Sequence, residues 1–225
     1  MSTLRNKPIV VTGTGTDAGK THLAAALLRE WSNAGTSVVG IKPVETGYSR
    51  LTSDAQRLAE AARRDILEPY YTATAPISPH LAARHTATSL AAAVITQWVH
   101  ANVHGDNPLV VVETAGGLFT PLSLSESMLD LIKHLDPCVF VLVALNRLGT
   151  LHDVRAAVKA AAAEHRAPDV VLLNTRDPDF ARLNNAGELE ALGLTMPIFD
   201  IGGPVTLAAA ATWLKAQALS TPHRK

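Results

Sequence analysis

The sequence has little cysteine, no excess of either charge and no long apolar run, and each absence excludes a class of protein. Its single cysteine, Cys138, cannot form an internal disulfide, and its apolar neighbours predict an inert core residue. Basic and acidic residues number 20 each, so nothing indicates binding to nucleic acid or to an anionic membrane. Residues 86–104 lack Asp, Glu, Lys and Arg, but they are too rich in other polar residues to span a membrane.

The amino-terminal segment also lacks the pattern of a signal peptide. An apolar strand begins near residue 8, and no basic region is followed by a long apolar stretch and a small-residue cleavage site. We therefore expect a cytoplasmic protein with no nucleic-acid and no membrane partner. The chain does contain 47% apolar residues, which suffice for a sizeable core and exclude a disordered chain.

Short apolar runs alternate with longer helical patterns along the chain. The runs are rich in Val and Ile and do not alternate with polar residues, which is typical of strands buried on both faces. They cover residues 9–11, 38–41, 109–112, 139–144 and 170–173, with a weaker run near 198. This βαβα order predicts a three-layer α/β fold, with a mostly parallel central sheet of about seven strands flanked by helices. We expect residues 1–225 to form a single domain.

The helical patterns lie between these runs. They cover residues near 20–34, 53–64, 88–103, 126–135, 151–165 and 205–219. Ser53 before Asp54 and Ser125 before Glu126 predict two of the helix starts, because a serine side chain accepts a hydrogen bond from the first helical amides. In such a sheet, ligands bind beyond the carboxyl ends of the strands.

Residues 13–21, which read GTGTDAGKT, join the first run to the first helical pattern. The usual phosphate loop is G-x-x-x-x-G-K-[ST], and this segment misses it by one position because five residues separate Gly13 from Gly19. Glycines still allow successive amides to surround phosphate oxygens, and the helix start adds its positive dipole end. Lys20 can reach the β- and γ-phosphates, and Thr21 can bind Mg²⁺. The segment predicts a polyphosphate-binding site and a fold like that of P-loop NTPases.

Charged residues at the ends of other apolar runs extend this site. Glu113 ends the third run, where phosphate-loop proteins commonly place an acid associated with the metal. Position alone leaves Asp54 open between a metal ligand and an acid that favours a helix start. Lys42 is open between a solvated lysine and a group that stabilises a transferring phosphoryl. Asn174 is open between a contact to adenine and a turn cap.

Together these segments resemble dethiobiotin synthetases over about three quarters of the chain. The matching segments are GTGTDAGKT (13–21), KPVETG (42–47), SDA (53–55), SPH (78–80), ETAGG (113–117), FTPL (119–122), RLGTL (147–151) and the asparagine that ends VVLLN (170–174). The pairing of the loop with KPVETG is specific to this family. The loop alone would also fit amide-forming relatives in corrinoid synthesis.

The resemblance implies a reaction and its participants. Such enzymes take 7,8-diaminononanoate, CO2 and ATP with Mg²⁺, form a carbamate on one amine, phosphorylate it, and close the ureido ring with release of ADP and phosphate. The family also works as a homodimer with the site at the subunit interface. The protein would then be an ATP-dependent cyclo-ligase of biotin biosynthesis, with small-molecule substrates (the diamine, CO2 or bicarbonate, and ATP).

The resemblance also implies residue roles. Lys42, Lys20 and Thr16 would be catalytic, and Thr21, Asp54 and Glu113 would hold the metal. The nucleotide would contact Gly15, Asp17, Ala18, Gly19, Lys20, Thr21, His22, Asp54, Glu113, Thr114, Ala115, Gly116, Asn174, Thr175 and Gly203. The diamine would contact Thr46, Gly116, Gly117, Gly149, Thr150 and Leu151. The chain departs from the family pattern at Thr114, at His152 and Asp153, and in the segment 199–204.

Two other functions compete with this one. A nucleotide-switch ATPase of the partitioning or division-site type would share the fold, but it usually carries an extra lysine early in the loop, where Thr14 and Gly15 stand. An amidating ligase of the corrinoid a,c-diamide synthase type would often carry a nucleophilic cysteine in a further domain, and Cys138 lies in a predicted strand.

Overall fold

The central sheet consists of six strands, and every neighbouring pair in it runs parallel. The computed structural model describes residues 4–220 apart from 85, 87 and 105–107. Its strands are β1 (Ile9–Gly13), β2 (Val38–Ile41), β3 (Val44–Thr46), β4 (Tyr71–Ala73), β5 (Leu109–Glu113), β6 (Val139–Leu145), β7 (Val170–Asn174) and β8 (Ile198–Ile201). The order across the sheet is β2-β5-β1-β6-β7-β8.

The six apolar runs account for these six strands, so the expected α/β fold is confirmed. The expected number of about seven strands is corrected to six in the part of the chain that the structure describes. The two further strands, β3 and β4, pair with each other in a separate parallel sheet. Each has only three residues, which is too short to leave a periodic pattern in the sequence.

Helices follow most of the strands, as the parallel order requires. They are α1 (Lys20–Asn33), α2 (Asp54–Ala62), α3 (Pro79–Ala83), α4 (Ala92–Asn102), α5 (Met128–His134), α6 (Thr150–Ala163), α7 (Pro178–Ala181), α8 (Asn185–Ala191) and α9 (Pro204–Leu219). All six predicted helices are present, whereas the short helices α7 and α8 were not expected. No helix among the described residues has both the length and the apolar character needed to cross a bilayer.

Two apolar cores cover the two faces of the sheet. Ile9 and Val11 of β1 pack in one core with α1, α2 and α9, and Val10 packs in the other core with α4, α5, α6 and α8. Successive residues of a strand point to opposite faces, so a strand between two helical layers needs apolar residues at every position. This explains the unbroken apolar runs and confirms the three-layer arrangement.

One of the two predicted helix starts is correct. Ser53 caps α2, because its side chain accepts a hydrogen bond from the amide of Gln56 at 3.0 Å. The prediction for Ser125 is wrong, since α5 begins after Ser127 in a capping box with Asp130. Glu126 turns instead to the start of α4, where its carboxylate accepts a hydrogen bond from the amide of Ala92 at 3.1 Å.

The parallel sheet brings the ends of several strands to one edge. The phosphate loop follows β1, Lys42 follows β2, Glu113 ends β5 and Asn174 ends β7. These residues are far apart in the sequence, but the order of the strands places β1 between β5 and β6. The candidate site lies at this carboxyl edge.

Candidate active site

The loop between β1 and α1 has the backbone of an anion cradle. Gly19, the N-cap of α1, has φ of +94°, and Asp17 has φ of +62°. A Cβ at Gly19 would lie 1.9 Å from Nδ2 of Asn174, so glycine is required there on both grounds. No side chain in the described chain caps α1, which leaves its first amides and its dipole available to a phosphate.

The side chain of Asn174 stabilises this loop. Its Nδ2 donates a hydrogen bond to the carbonyl of Ala18 at 3.1 Å, and its side chain is buried. The loop is held on its other side by a hydrogen bond from the amide of Thr14 to the carbonyl of Val143 at 2.9 Å. The geometry therefore gives Asn174 a clear part in shaping the loop.

The two loop residues that open α1 point into a polar centre. Lys20 is buried, and its Nζ donates a hydrogen bond to the carbonyl of Gly15 at 3.2 Å. Burial, together with the nearby charge of Lys42, lowers the pKa of Lys20 below its ordinary value. The hydroxyl of Thr21 donates a hydrogen bond to Oε1 of Glu113 at 2.7 Å.

Lys42 is a buried charge of the site, with only 4% of its surface exposed. Its Nζ lies 2.5 Å from Oε1 of Glu113 and 3.0 Å from Oδ2 of Asp54, and it also donates to the carbonyl of Thr114 at 3.3 Å. Burial by itself lowers the pKa of Lys42, but the two carboxylates outweigh it and the pKa is raised. Burial likewise raises the pKa of Asp54, but the ammonium of Lys42 outweighs burial and the pKa is lowered. This lysine is therefore paired and charged, not solvated.

Glu113 provides the test of whether the site fits a magnesium ion. It is fully buried, and within the described residues its Oε2 has no hydrogen-bond partner. A buried carboxylate oxygen without a partner is costly unless a cation satisfies it. The described residues contain no group of three or more His, Cys, Asp or Glu side chains suited to a metal. Mg²⁺ needs no such group, since it binds through one or two carboxylates, hydroxyls, waters and substrate phosphates, so these residues fit it.

A cavity of about 890 Å³ opens above these charges. Twelve of the predicted site residues line it: Thr16, Asp17, Gly19, Lys20, Thr21, His22, Lys42, Thr46, Asp54, Glu113, Ala115 and Gly116. The segment that carries α3 also contributes to the wall, through Ser78 and Pro79. The structure thus brings together the loop after β1, the first turns of α1 and α2, the residue after β2, and residues of β3 and β5.

The two glycines after β5 let two loops approach closely. Gly116 has φ of +63°, and a Cβ at Gly117 would lie 3.1 Å from Cα of Gly15. The amide of Leu118 donates to the carbonyl of Gly13 at 2.9 Å, which ties this segment to the phosphate loop. The glycine pair therefore has a packing reason as well as the expected contact with ligands.

Several predicted residues lie behind or beside the cavity. Ala18, Thr114 and Asn174 are buried beneath it, and the hydroxyl of Thr114 donates to that of Thr12 at 2.9 Å. Gly203 lies at the start of α9, and Thr175 belongs to a network in which Asn146 donates to Thr175 at 2.9 Å and to Asp200 at 3.2 Å. Thr175 also donates to Asp200. This network holds the ends of β6, β7 and β8 together.

The predicted substrate residues Gly149, Thr150 and Leu151 are not among the described residues that line the main cavity. They form the start of α6, where the hydroxyl of Thr150 donates to the carbonyl of Leu145 at 3.1 Å. A second cavity of about 620 Å³ shares Thr16, Thr120 and Pro121 with the first and extends to His152 and Asp153.

Asp153 adds no uncompensated charge to this second cavity. Its Oδ2 lies 2.9 Å from Nη2 of Arg147 in an exposed ion pair. The departure from the family pattern at this position is therefore balanced within the chain.

Five charged residues that line the main cavity were not predicted from the sequence. Four of them are exposed, namely Arg29, Arg57, Glu60 and Arg176, and the fifth is the buried Glu45. Arg176 follows Asn174 by two positions at the end of a strand, which could have indicated it. Glu45 lies inside the KPVETG segment, but nothing local shows that its side chain turns inward.

Comparison with known proteins identifies the family to which the chain is similar. The family described as AAA domain matches residues 7–200. The chain is 37% identical over 177 residues to the ATP-dependent dethiobiotin synthetase BioD of Anaeromyxobacter sp. (strain K), covering 76% of this chain and 78% of that protein. It is 33% identical over 187 residues to the protein of the same name from Corynebacterium diphtheriae, covering 81% and 82%.

Two solved structures share the fold at low sequence identity. HypB from Helicobacter pylori, in complex with nickel, superposes with a TM-score of 0.55 at 12% identity, covering 98% of this chain and 93% of that chain. The signal recognition particle receptor FtsY from Elizabethkingia anophelis superposes with a TM-score of 0.53 at 16% identity, covering 93% and 66%. These structures confirm the architecture and carry no argument about the reaction.

Proposed function

Because the chain belongs to the ATP-dependent dethiobiotin synthetase family, we propose that it converts 7,8-diaminononanoate, CO2 and ATP to dethiobiotin in biotin biosynthesis. One observation carries the proposal from the structure. A buried, charged lysine, Lys42, contacts both Glu113 and Asp54 in the cavity that the phosphate loop lines. Phosphoryl transfer to an anionic acceptor needs such a concentration of compensating charge.

The phosphate loop holds the nucleotide in this proposal. Amides of the loop and of the first turn of α1 surround the phosphates, and Lys20 neutralises the β- and γ-phosphates. Ala18, Gly19 and Asn174 keep the loop in this shape, and Thr175 and Gly203 lie toward the base. The lowered pKa of Lys20 supports the assignment, because a partly desolvated ammonium gains more from a phosphate than a hydrated one does.

Lys42 stabilises the transferring phosphoryl group. One amine of the substrate attacks CO2 to form the carbamate, and a carbamate oxygen attacks the γ-phosphorus while the bond to the leaving ADP oxygen breaks. The second amine then attacks the carbamate carbon, and phosphate leaves with closure of the ring. Charge accumulates on the phosphoryl oxygens between two anions, so a fixed ammonium lowers the barrier.

Thr21, Asp54 and Glu113 are the residues that would hold Mg²⁺. When bound, the ion supplies Lewis-acid stabilisation of phosphate oxygens. The chain contributes the orientation of these three groups, and the unsatisfied Oε2 of Glu113 supports the assignment.

The diamine takes the part of the cavity beside the glycine pair. Thr46, Gly116 and Gly117 contact it, and Thr16 lies next to the reacting carbamate. Thr16 lines both cavities, which supports a position where the nucleotide and the substrate meet.

We also propose a homodimer, in which Gly149, Thr150 and Leu151 of one subunit offer amides to the substrate carboxylate in the other. Leu148 is 85% exposed next to this segment, and a helix start favours an anion. The expected cytoplasmic location fits a reaction that consumes ATP. Light scattering tests the dimer, and a monomer at micromolar concentration with full activity would contradict it.

A phosphate-release assay tests the reaction. The protein is mixed with a nucleoside triphosphate, Mg²⁺, diaminononanoate and bicarbonate, and each component is omitted in turn. We expect release that requires both the diamine and bicarbonate, and the comparison of ATP with other triphosphates measures the base preference. Release that ignores the diamine would overturn the proposal and favour another acceptor, such as a corrinoid acid with ammonia. Release stimulated by DNA or lipid vesicles would favour a nucleotide switch.

A further inference from the structure

Glu45 is a buried carboxylate that the proposed reaction leaves without a role. It lies on β3, three residues after Lys42, and only 6% of its surface is exposed. Its Oε1 accepts a hydrogen bond from the amide of Asp54 at 2.7 Å, and its Oε2 accepts one from the amide of Ala55 at 3.3 Å. Both carboxylate oxygens are thus directed at the backbone of the first turn of α2.

A helix cap alone does not explain this carboxylate. Ser53 already caps α2 with its side chain, through the amide of Gln56. Burial of a carboxylate costs free energy, and a second cap could use a neutral group at lower cost. The particular effect of Glu45 is that it fixes the amide of the residue whose side chain contacts Lys42.

These contacts form a closed loop of three residues. Glu45 follows Lys42 by three positions and accepts a hydrogen bond from the amide of Asp54. The carboxylate of Asp54 in turn lies 3.0 Å from the ammonium of Lys42. Within the described residues, the hydrogen bonds of Glu45 and the ion pair of Asp54 both connect the start of α2 to residues 42–45. Residues that orient metal ligands through hydrogen bonds affect metal affinity or activity by roughly 10- to 100-fold.

We propose that Glu45 is a positioning residue that orients Asp54 toward Lys42 and the magnesium site. This inference rests on the proposed role of Asp54. A carboxylate is suited to the task because it has two acceptor oxygens for two amides. A glutamine has one acceptor oxygen, so its NH₂ group would face the second amide without forming a bond.

The test compares Glu45→Ala and Glu45→Gln with the control Ser53→Ala, which removes the other cap of the same helix. Calorimetry measures ADP binding as a function of Mg²⁺ concentration, and urea unfolding measures stability. We expect Glu45→Ala to raise the Mg²⁺ concentration needed for half-maximal binding by about tenfold or more, with Glu45→Gln between it and the wild type. Ser53→Ala should lower the unfolding midpoint and leave the Mg²⁺ dependence unchanged.

Two results would overturn the inference in different ways. If Asp54→Asn shifts the Mg²⁺ dependence but neither Glu45 variant does, or if Ser53→Ala shifts it as much, Glu45 is only a structural cap. If Asp54→Asn itself leaves the Mg²⁺ dependence unchanged, the metal assignment fails and this inference fails with it. Glu45→Gln keeps the side-chain volume and one hydrogen bond, so it decides the question if Glu45→Ala does not fold.

Discussion

The two edges of the central sheet each carry a cluster of polar and charged side chains, and the clusters differ in burial and in how completely their charges are paired. The carboxyl-edge cluster consists of Lys20, Lys42, Asp54 and Glu113, and the amino-edge cluster consists of Asp136, Cys138, Arg166 and Asp169. In the amino-edge cluster, the guanidinium of Arg166 lies 3.0 Å from Asp136 and 3.0 Å from Asp169, and donates to the carbonyl of Cys138 at 3.2 Å. Asp169 also accepts a hydrogen bond from the amide of Phe140 at 2.7 Å, which joins the cluster to β6.

The carboxyl-edge cluster lacks this closure. Glu113 keeps an oxygen for which the described residues offer no donor, the pKa of Lys20 is lowered by burial, and a large cavity adjoins both residues. In the described residues, the charged groups of the amino-edge cluster pair with one another and with the backbone. The carboxyl-edge cluster retains interactions for a ligand, so the comparison favours incompletely satisfied charge, not paired charge, as the indicator of a site.

The largest effect is expected from Lys42→Ala, which removes a charge of the carboxyl-edge cluster. We expect turnover to fall by about 10³-fold or more, because one cation at the transferring phosphoryl is worth roughly that factor in related reactions. Nucleotide affinity should change far less, since Lys20 and the loop remain. Single-turnover phosphate release measures the first quantity and nucleotide titration the second. Lys133→Ala, which removes a lysine from the exposed face of α5, is the control, and unchanged turnover in Lys42→Ala would contradict the assigned role.

The amino-edge counterpart is Arg166→Ala. We expect a loss of about 2 kcal/mol in the free energy of unfolding, less than for a fully buried pair because Asp136 and Asp169 are partly exposed. The turnover of the folded fraction should stay close to that of the wild type. Urea unfolding and steady-state kinetics measure the two effects. A large loss of turnover without a loss of stability would contradict the assignment of the amino-edge cluster to stability and of the carboxyl-edge cluster to the reaction.

The pH dependence of nucleotide binding distinguishes Lys20 from Lys42 within the carboxyl-edge cluster. Lys20 must be charged to attract phosphate, and its pKa in the unliganded protein is lowered from the ordinary value of 10.5. Affinity should therefore decline as pH rises through a pKa below that value, by at most about tenfold per pH unit. Lys42, whose pKa is raised, should add no decline in this range. Lys20→Arg should remove the decline, and a decline that persists in this variant would assign it to another group.

The smallest effect is expected at the thiol of the amino-edge cluster. Burial, together with the charge of Asp136, raises the pKa of Cys138, so little thiolate forms at neutral pH. The thiol should resist alkylation in the folded protein and react after unfolding in urea. Cys138→Ala should leave turnover within about twofold of the wild type, since surface and inert positions rarely affect the chemistry. Rapid labelling of the native protein would show that the thiol of Cys138 is accessible to the reagent, and it would contradict this expectation.

Much of the fold was readable from consecutive residues. Unbroken apolar runs predicted the six central strands, and Gly-Lys-Thr at residues 19–21 predicted the phosphate loop, because burial on both faces and helix-start geometry are local requirements. The strands β3 and β4 and the cap at Ser127 were missed or misplaced. Their positions depend on pairing and packing partners that are distant in the sequence.

The site was predictable as a set of residues but not as a set of contacts. Position alone left the roles of Lys42 and Asp54 open, and the resemblance implied a catalytic role for Lys42 and a metal site for Asp54 and Glu113. Lys42 and Glu113 are separated by 71 positions, and their 2.5 Å contact exists because β2 and β5 are neighbours in the sheet. No local feature of the sequence indicated that the side chain of Glu45 is buried at the main cavity.

The amino-acid sequence by itself indicated the six strands of the central sheet, the loop predicted to hold a phosphate, and the family to which the chain belongs. These properties follow from the chemistry and periodicity of neighbouring residues. Only the tertiary structure decided which charges are satisfied by the chain and which remain for a ligand. That outcome depends on the order of strands in the sheet. At one edge it brings distant charged side chains together beside a cavity, and at the other edge the charged side chains pair with one another.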